Sequence, residues 1–176
     1  RPFSSIEEHD ETLINNWNSV VKNDDIVYYL GDFCFVKNPK VYLNKLNGKI
    51  IYFIIGSHDK PILNYFGEAD CRFLGEDKKK EIINLGEQKE IEINNQIIVL
   101  NHYALRTWSK SHYFSWALCG HSHYQKEELK KNSINGGLIL DLGVDGNNFK
   151  PYSFEDIKKI MIWKLEKIKE NQLIKL

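Results

Sequence analysis

Two stretches, Ile26-Val-Tyr-Tyr-Leu-Gly-Asp32 and Lys49-Ile-Ile-Tyr-Phe-Ile-Ile-Gly-Ser-His-Asp59, decide how this chain folds. Each is a run of β-branched and aromatic residues that stops at a glycine and places polar side chains directly after it. Apolar runs of this kind, without polar alternation, predict strands buried on both faces. Between them Pro39 to Leu46 reads as a short helix, and helix, strand, helix, strand in succession predicts parallel pairing through crossovers. Upstream, Ser5-Ile-Glu-Glu8 is a capping box, and Ile6, Leu13, Ile14, Trp17, Val20 and Val21 recur at helical spacing to about residue 22.

Further along, Glu90–Ile93 and Gln96–Leu100 flank Asn94-Asn95, a tight hairpin turn, so antiparallel strands are expected in this half. Ser115 to Cys119 and Leu138 to Val144 are further apolar segments. Ser153-Phe-Glu-Asp156 opens a last amphipathic helix carrying Ile157, Ile160, Met161, Leu165 and Ile168, and its charged end from Lys164 is expected in solvent. No repeat or low-complexity linker divides the 176 residues, so a single domain is expected over 1–176. The element order predicts an α/β fold of two packed mixed β-sheets flanked by helices.

Twenty-four basic residues balance 24 acidic ones, which leaves no global field for anionic membranes or long nucleic acid, and only three arginines are available to track phosphates. No apolar run approaches the roughly 18 residues of a membrane span. Cys34, Cys71 and Cys119 are odd in number and show no paired spacing, which suits reduced thiols in a cytoplasmic setting.

Four segments set metal-type ligands just beyond apolar runs: Gly31-Asp32, Gly56-Ser-His-Asp59, Asn101-His102-Tyr103 and Gly120-His-Ser-His123. Singly they are ordinary, since Gly-Asp is a common turn and a lone histidine is more often a satisfied core residue than a ligand. The His-Ser-His pair says more, because a short loop can turn two imidazoles toward neighbouring metal positions. Imidazoles with a carboxylate suit Mn, Zn, Fe or Ni.

Together, and in this order, the segments resemble the calcineurin-like metallophosphoesterases, whose pattern runs DxH, GD, GNHD, a lone His, then GHxH. Arg1-Pro-Phe-Ser-Ser5, Leu30-Gly-Asp-Phe33, Leu142-Gly-Val-Asp145 and Lys150-Pro-Tyr-Ser-Phe154 are similar to a small bacterial and phage branch of that family. The resemblance implies a four-layer α/β/β/α sandwich, two divalent metal ions, and hydrolysis of a phosphate ester. The implied substrate is a small phosphodiester or a nucleotide-like compound. It casts Asp32 as the carboxylate bridging the ions, His102 and His121 as ligands of the second ion, and His123 as a ligand of the first. His58 becomes the catalytic histidine beside the scissile phosphate, with Asp59 holding its ring. The resemblance also implies about 20 further residues before Arg1-Pro-Phe, among them a first strand bearing the Asp-x-His motif. Ser57 stands where the family has a ligating Asn, which favours as alternative a weakened or inactive binding module.

Between the lone histidine and the His-Ser-His pair lie Arg106, Trp108 and His112. They read either as an anchored surface loop or as a substrate lip in which Arg106 or His112 contacts a phosphate oxygen. Asp145 is either a support of the metal ligands or a turn residue.

Overall fold

The computed structural model describes residues 2–67, 72–74, 80–122 and 137–173. Ser5 caps helix α1 (Ile6–Val20): its extended backbone lets Oγ accept the Glu8 amide at 3.1 Å, satisfying a donor that a helix start leaves open. The other arm of the capping box closes one residue early, since the Glu8 carboxylate accepts from Ser4 N at 2.7 Å. Trp17, buried on the inner face of α1, donates from its indole to Asn47 O at 2.8 Å and ties the helix to the chain entering the next strand.

The first sheet has the order β1 (Ile26–Tyr29), β2 (Ile50–Phe53), β4 (Glu81–Asn84), β3 (Arg72–Leu74). β1, β2 and β4 are parallel, as the crossover reading requires, and β3 pairs antiparallel with β4. Helices α2 (Lys40–Leu43) and α3 (Lys60–Phe66) follow β1 and β2. β2 is central and buried, whereas β1 is an edge strand among the described residues, with Ile26 55% exposed. A five-residue apolar run does not distinguish an edge strand packed on its neighbours from one buried on both faces.

The second sheet has the order β5 (Gln88–Ile93), β6 (Gln96–Asn101), β7 (Trp116–Cys119), β8 (Ile139–Asp141). Asn94 and Asn95 turn the β5–β6 hairpin with φ of 51° and 63°, the paired left-handed conformation whose twist matches that of the strands. The expectation of antiparallel strands holds only for this hairpin, because β6, β7 and β8 run parallel. Every residue of Trp116–Cys119 is buried, as a parallel strand covered on both faces must be.

Two cores hold these layers together. Trp17, Val21, Leu43, Leu46 and Ile62 pack on Ile51, Phe53, Ile55 and Ile82 of the first sheet. Ile54 of that sheet joins Leu100, Trp116, Leu118 and Leu140 of the second, and Ile157 and Met161 of α4 (Phe154–Leu173) close over the same cluster. The fold is therefore two packed mixed β-sheets flanked by helices. Among the described residues no helix is long and apolar enough to cross a membrane.

Lys164 corrects the expectation of a solvated helix end. It is 1% exposed, and its Nζ donates to Ile139 O of β8. Burial lowers its pKa from 10.5 to about 8. Because the folded value is the lower one, the unfolded chain binds more protons between the two values, and stability rises with pH across that window. From about pH 7 to about pH 10 the protein should gain on the order of 2–3 kcal/mol relative to Lys164→Met, read from urea midpoints. A difference that does not change with pH would place this amine in water.

Candidate metal centre

Parallel strands emit their following loops from the same end, and this brings the candidate ligands together. β1 and β2 are neighbours in the first sheet, so Gly31-Asp32 and Gly56–Asp59 leave side by side. β6 and β7 are parallel neighbours in the second and deliver His102 and His121 in the same way. The two sheets meet at this end, where the His102 ring contacts Leu30 O from Nδ1 at 2.8 Å, and within the second sheet Gly120 N donates to His102 O at 3.1 Å.

The approach is close enough to require glycine. A Cβ at Gly31 would lie 2.4 Å from His102 Nδ1 and 2.8 Å from Gly56 Cα, and Gly31 also has φ of +97°. A Cβ at Gly56 would lie 2.5 Å from Asp32 Oδ1. Asp32 itself has φ of 59°, a left-handed conformation that is uncommon outside glycine and that aspartate tolerates better than most residues.

Asp59 holds Asp32 there. It is fully buried at the start of α3, where Oδ2 accepts from Asp32 N at 2.7 Å and from Gly56 N at 2.8 Å, and Oδ1 accepts from Phe33 N at 2.7 Å. The resemblance gave Asp59 the task of holding the His58 ring; here both of its oxygens are engaged by backbone amides that lock the two ligand loops together. His58 is exposed, its amide donates to Asp32 Oδ1 at 2.7 Å, and its ring lies 5.2 Å from that of Phe35. The Ser57 hydroxyl is directed at the Asp32 carboxylate, 3.3 Å from Oδ2 and 3.4 Å from Oδ1.

His102 is 1% exposed, and the Leu30 carbonyl can only accept, so Nδ1 is the donor to it and Nε2 is the nitrogen left to face a cation. Nε2 stands 3.0 Å from His121 Nδ1 and 3.3 Å from Asp32 Oδ2. Two donors each ~2.1 Å from one ion lie about 3.0–3.4 Å apart in octahedral or tetrahedral coordination, so these spacings suit a shared cation. The ligand atoms of Asp32, His102 and His121 all fall within 4.8 Å of one another. Two imidazoles and a carboxylate, one imidazole oriented by a carbonyl behind it, are a donor set for Mn, Zn, Fe or Ni.

Asp141 is a supporting residue that sequence reading missed. It ends β8, is 6% exposed, and accepts from Ser122 N at 2.9 Å and from Gly143 N at 2.8 Å, fixing the loop that carries His121. The signal was a carboxylate closing the apolar run Leu138-Ile-Leu-Asp141; Asp145, the other candidate support, sits in the short 3-10 turn Val144–Asn147. Cys119 is buried against Asp141, and burial first, then that carboxylate, pushes its pKa up to about 12. Cys119 is thus a neutral small hydrophobe, and Cys34 is buried likewise.

Of the residues singled out from the sequence, Asp32, His102 and His121 converge. Arg106 and His112 are exposed on the intervening loop, outside that cluster. The loop is anchored by Trp108, whose Nε1 donates to Ser115 O at 3.1 Å, and by Ser115 Oγ donating to Ser109 O at 2.6 Å. His123 and Cys71 lie outside the described residues.

No family model matches the chain. The uncharacterized protein MJ1445 of Methanocaldococcus jannaschii is 34% identical to it over 171 residues, which cover 92% of this chain and 80% of MJ1445. The chain belongs to the MJ1445 family. A protein of unknown function from Aquifex aeolicus, AQ665, has a crystal structure that matches with a TM-score of 0.62 at 24% identity, over 90% of this chain and 88% of that one. The fold is therefore shared with AQ665, and the chemistry of this MJ1445-family member rests on the geometry of Asp32, His102 and His121.

Proposed function

We propose that this protein is a metallophosphoesterase that hydrolyses a small phosphodiester or nucleotide-like phosphate ester at a divalent-cation centre. The observation that carries the reading is the convergence of Asp32, His102 and His121, with 3.0 and 3.3 Å between donor atoms, at the end of both sheets where the loops also bring His58. Divalent cations held there would supply an activated water and charge for the phosphate oxygens. Asp32, clamped through its amide by Asp59 and directed by the His58 amide, keeps its second oxygen toward His102. On this reading the exposed His58 ring gives a proton to the leaving oxygen. Arg106 and His112, on the loop between the two histidine segments, are candidates for the non-bridging oxygens. A second cation would draw on His123 and on the Asp-x-His strand that the resemblance implies.

The test is hydrolysis of bis(p-nitrophenyl) phosphate against Mn²⁺ concentration. Turnover should saturate with Mn²⁺, and His58→Ala should lower kcat by about 100-fold or more, the contribution typical of a placed general acid. The Ser57 hydroxyl at the position of a family ligand favours a second reading, a binding module with little activity. Ser57→Asn decides between them: an enzyme gains Mn²⁺ affinity and turnover together, whereas a binding module gains affinity and stays as slow as His58→Ala.

A further inference from the structure

We infer that Phe35 and Tyr103 are stacking residues that make the site selective for phosphate esters of nucleosides; this rests on the phosphoesterase reading. Phe33 and Phe35 occupy the same loop with opposite fates. Phe33 packs edge-on against Tyr29 at 5.1 Å and Phe53 at 5.3 Å, whereas Phe35 is 80% exposed. Burial therefore explains the first ring and not the second. Scattered exposed hydrophobic residues need no explanation, but this one lies against the His58 ring at 5.2 Å. Tyr103, 49% exposed, meets the ligand rings themselves, 4.8 Å from His102 and 4.7 Å from His121.

A chain of contacts joins the two rings: His58 N reaches Asp32, Asp32 reaches His102, and His102 meets Tyr103. Solvent-exposed aromatic rings thus border the ligand group, Phe35 against the proposed acid and Tyr103 against the metal ligands. A phosphate ester bound among those ligands carries its organic group outward past one ring or the other. Aromatic faces reward a flat π-system with offset stacking beyond the area burial that a sugar or alkyl group also gains. Stacking tolerates any base, so the preference is for a nucleoside over a non-aromatic alcohol, without discrimination among bases.

The experiment measures dissociation constants of adenosine 5′-monophosphate and ribose 5-phosphate for the Mn²⁺-loaded protein by titration calorimetry. The nucleotide should bind about 5- to 100-fold more tightly, the range that base stacking supplies. Phe35→Ala and Tyr103→Ala should each shrink that advantage and leave ribose 5-phosphate affinity unchanged, while Phe35→Trp should keep it. Equal affinities in the unaltered protein, or an advantage that survives both alanine changes, would overturn the inference. With Mn²⁺-dependent diester hydrolysis still present, such a result leaves the phosphoesterase reading standing. Failure of both compounds to bind, with no hydrolysis, overturns both. Mn²⁺ affinity should be the same in all variants; a fall in step with nucleotide affinity would mean that the rings merely brace the ligands, and the inference would be lost.

Discussion

Asp59→Ala is expected to cost on the order of 4 kcal/mol, because three backbone amides that its carboxylate satisfies would lose their acceptor and each such loss costs about 1–3 kcal/mol. That is a large part of the roughly 5–15 kcal/mol by which a domain is usually stable. The effect should extend to the site, since the Asp32 amide is one of the three and the bond it loses fixes the loop that carries this ligand. Asp59→Asn keeps one carbonyl oxygen and turns an amino group toward a backbone donor, so it should fall between the two. Urea denaturation reads the result. A loss of less than about 1 kcal/mol in Asp59→Ala would show that the loops do not depend on this carboxylate.

His102→Ala is expected to weaken Mn²⁺ binding by more than about 100-fold, since even the residues that support a metal ligand are worth 10- to 100-fold. His102 occupies the centre of the group, with Leu30 O behind it and Asp32 and His121 before it. Its removal also leaves a buried carbonyl without a donor, so His102→Gln serves as the second variant, able to donate to Leu30 O without offering an imidazole lone pair. Calorimetry should show both variants impaired in Mn²⁺ binding and Arg106→Ala unimpaired. Binding retained in both histidine variants would mean that the cation sits elsewhere.

Much of this arrangement was legible in the sequence, for identifiable reasons. Gly31 and Gly56 end apolar runs, and the strand ends they mark are where the ligands stand. Asn94-Asn95 specified its turn because few residues accept two successive left-handed conformations. Other features carried weaker signals. Glu81–Asn84 is only four residues long with Ile82 and Ile83 both buried, so it shows no alternation from which a strand could be read. The parallel pairing of β6, β7 and β8 was signalled only by the unbroken apolar run Trp116–Cys119, all of it buried, a pattern typical of parallel sheets that the nearby hairpin obscured. Lys164 lies three residues after Met161 and seven after Ile157, on the apolar stripe of its helix, and only its charge suggested solvent. The role of Asp59 was the hardest to anticipate, because which donors a carboxylate serves depends on loops 26 residues apart meeting in space.

The central claim, that Asp32, His102 and His121 hold one divalent cation, is tested most directly by anomalous diffraction from crystals soaked in MnCl₂. The account predicts a manganese peak about 2.0–2.3 Å from an Asp32 carboxylate oxygen, His102 Nε2 and His121 Nδ1 together. A peak that leaves out His102, or soaked crystals with no peak at this end of the sheets, would contradict it.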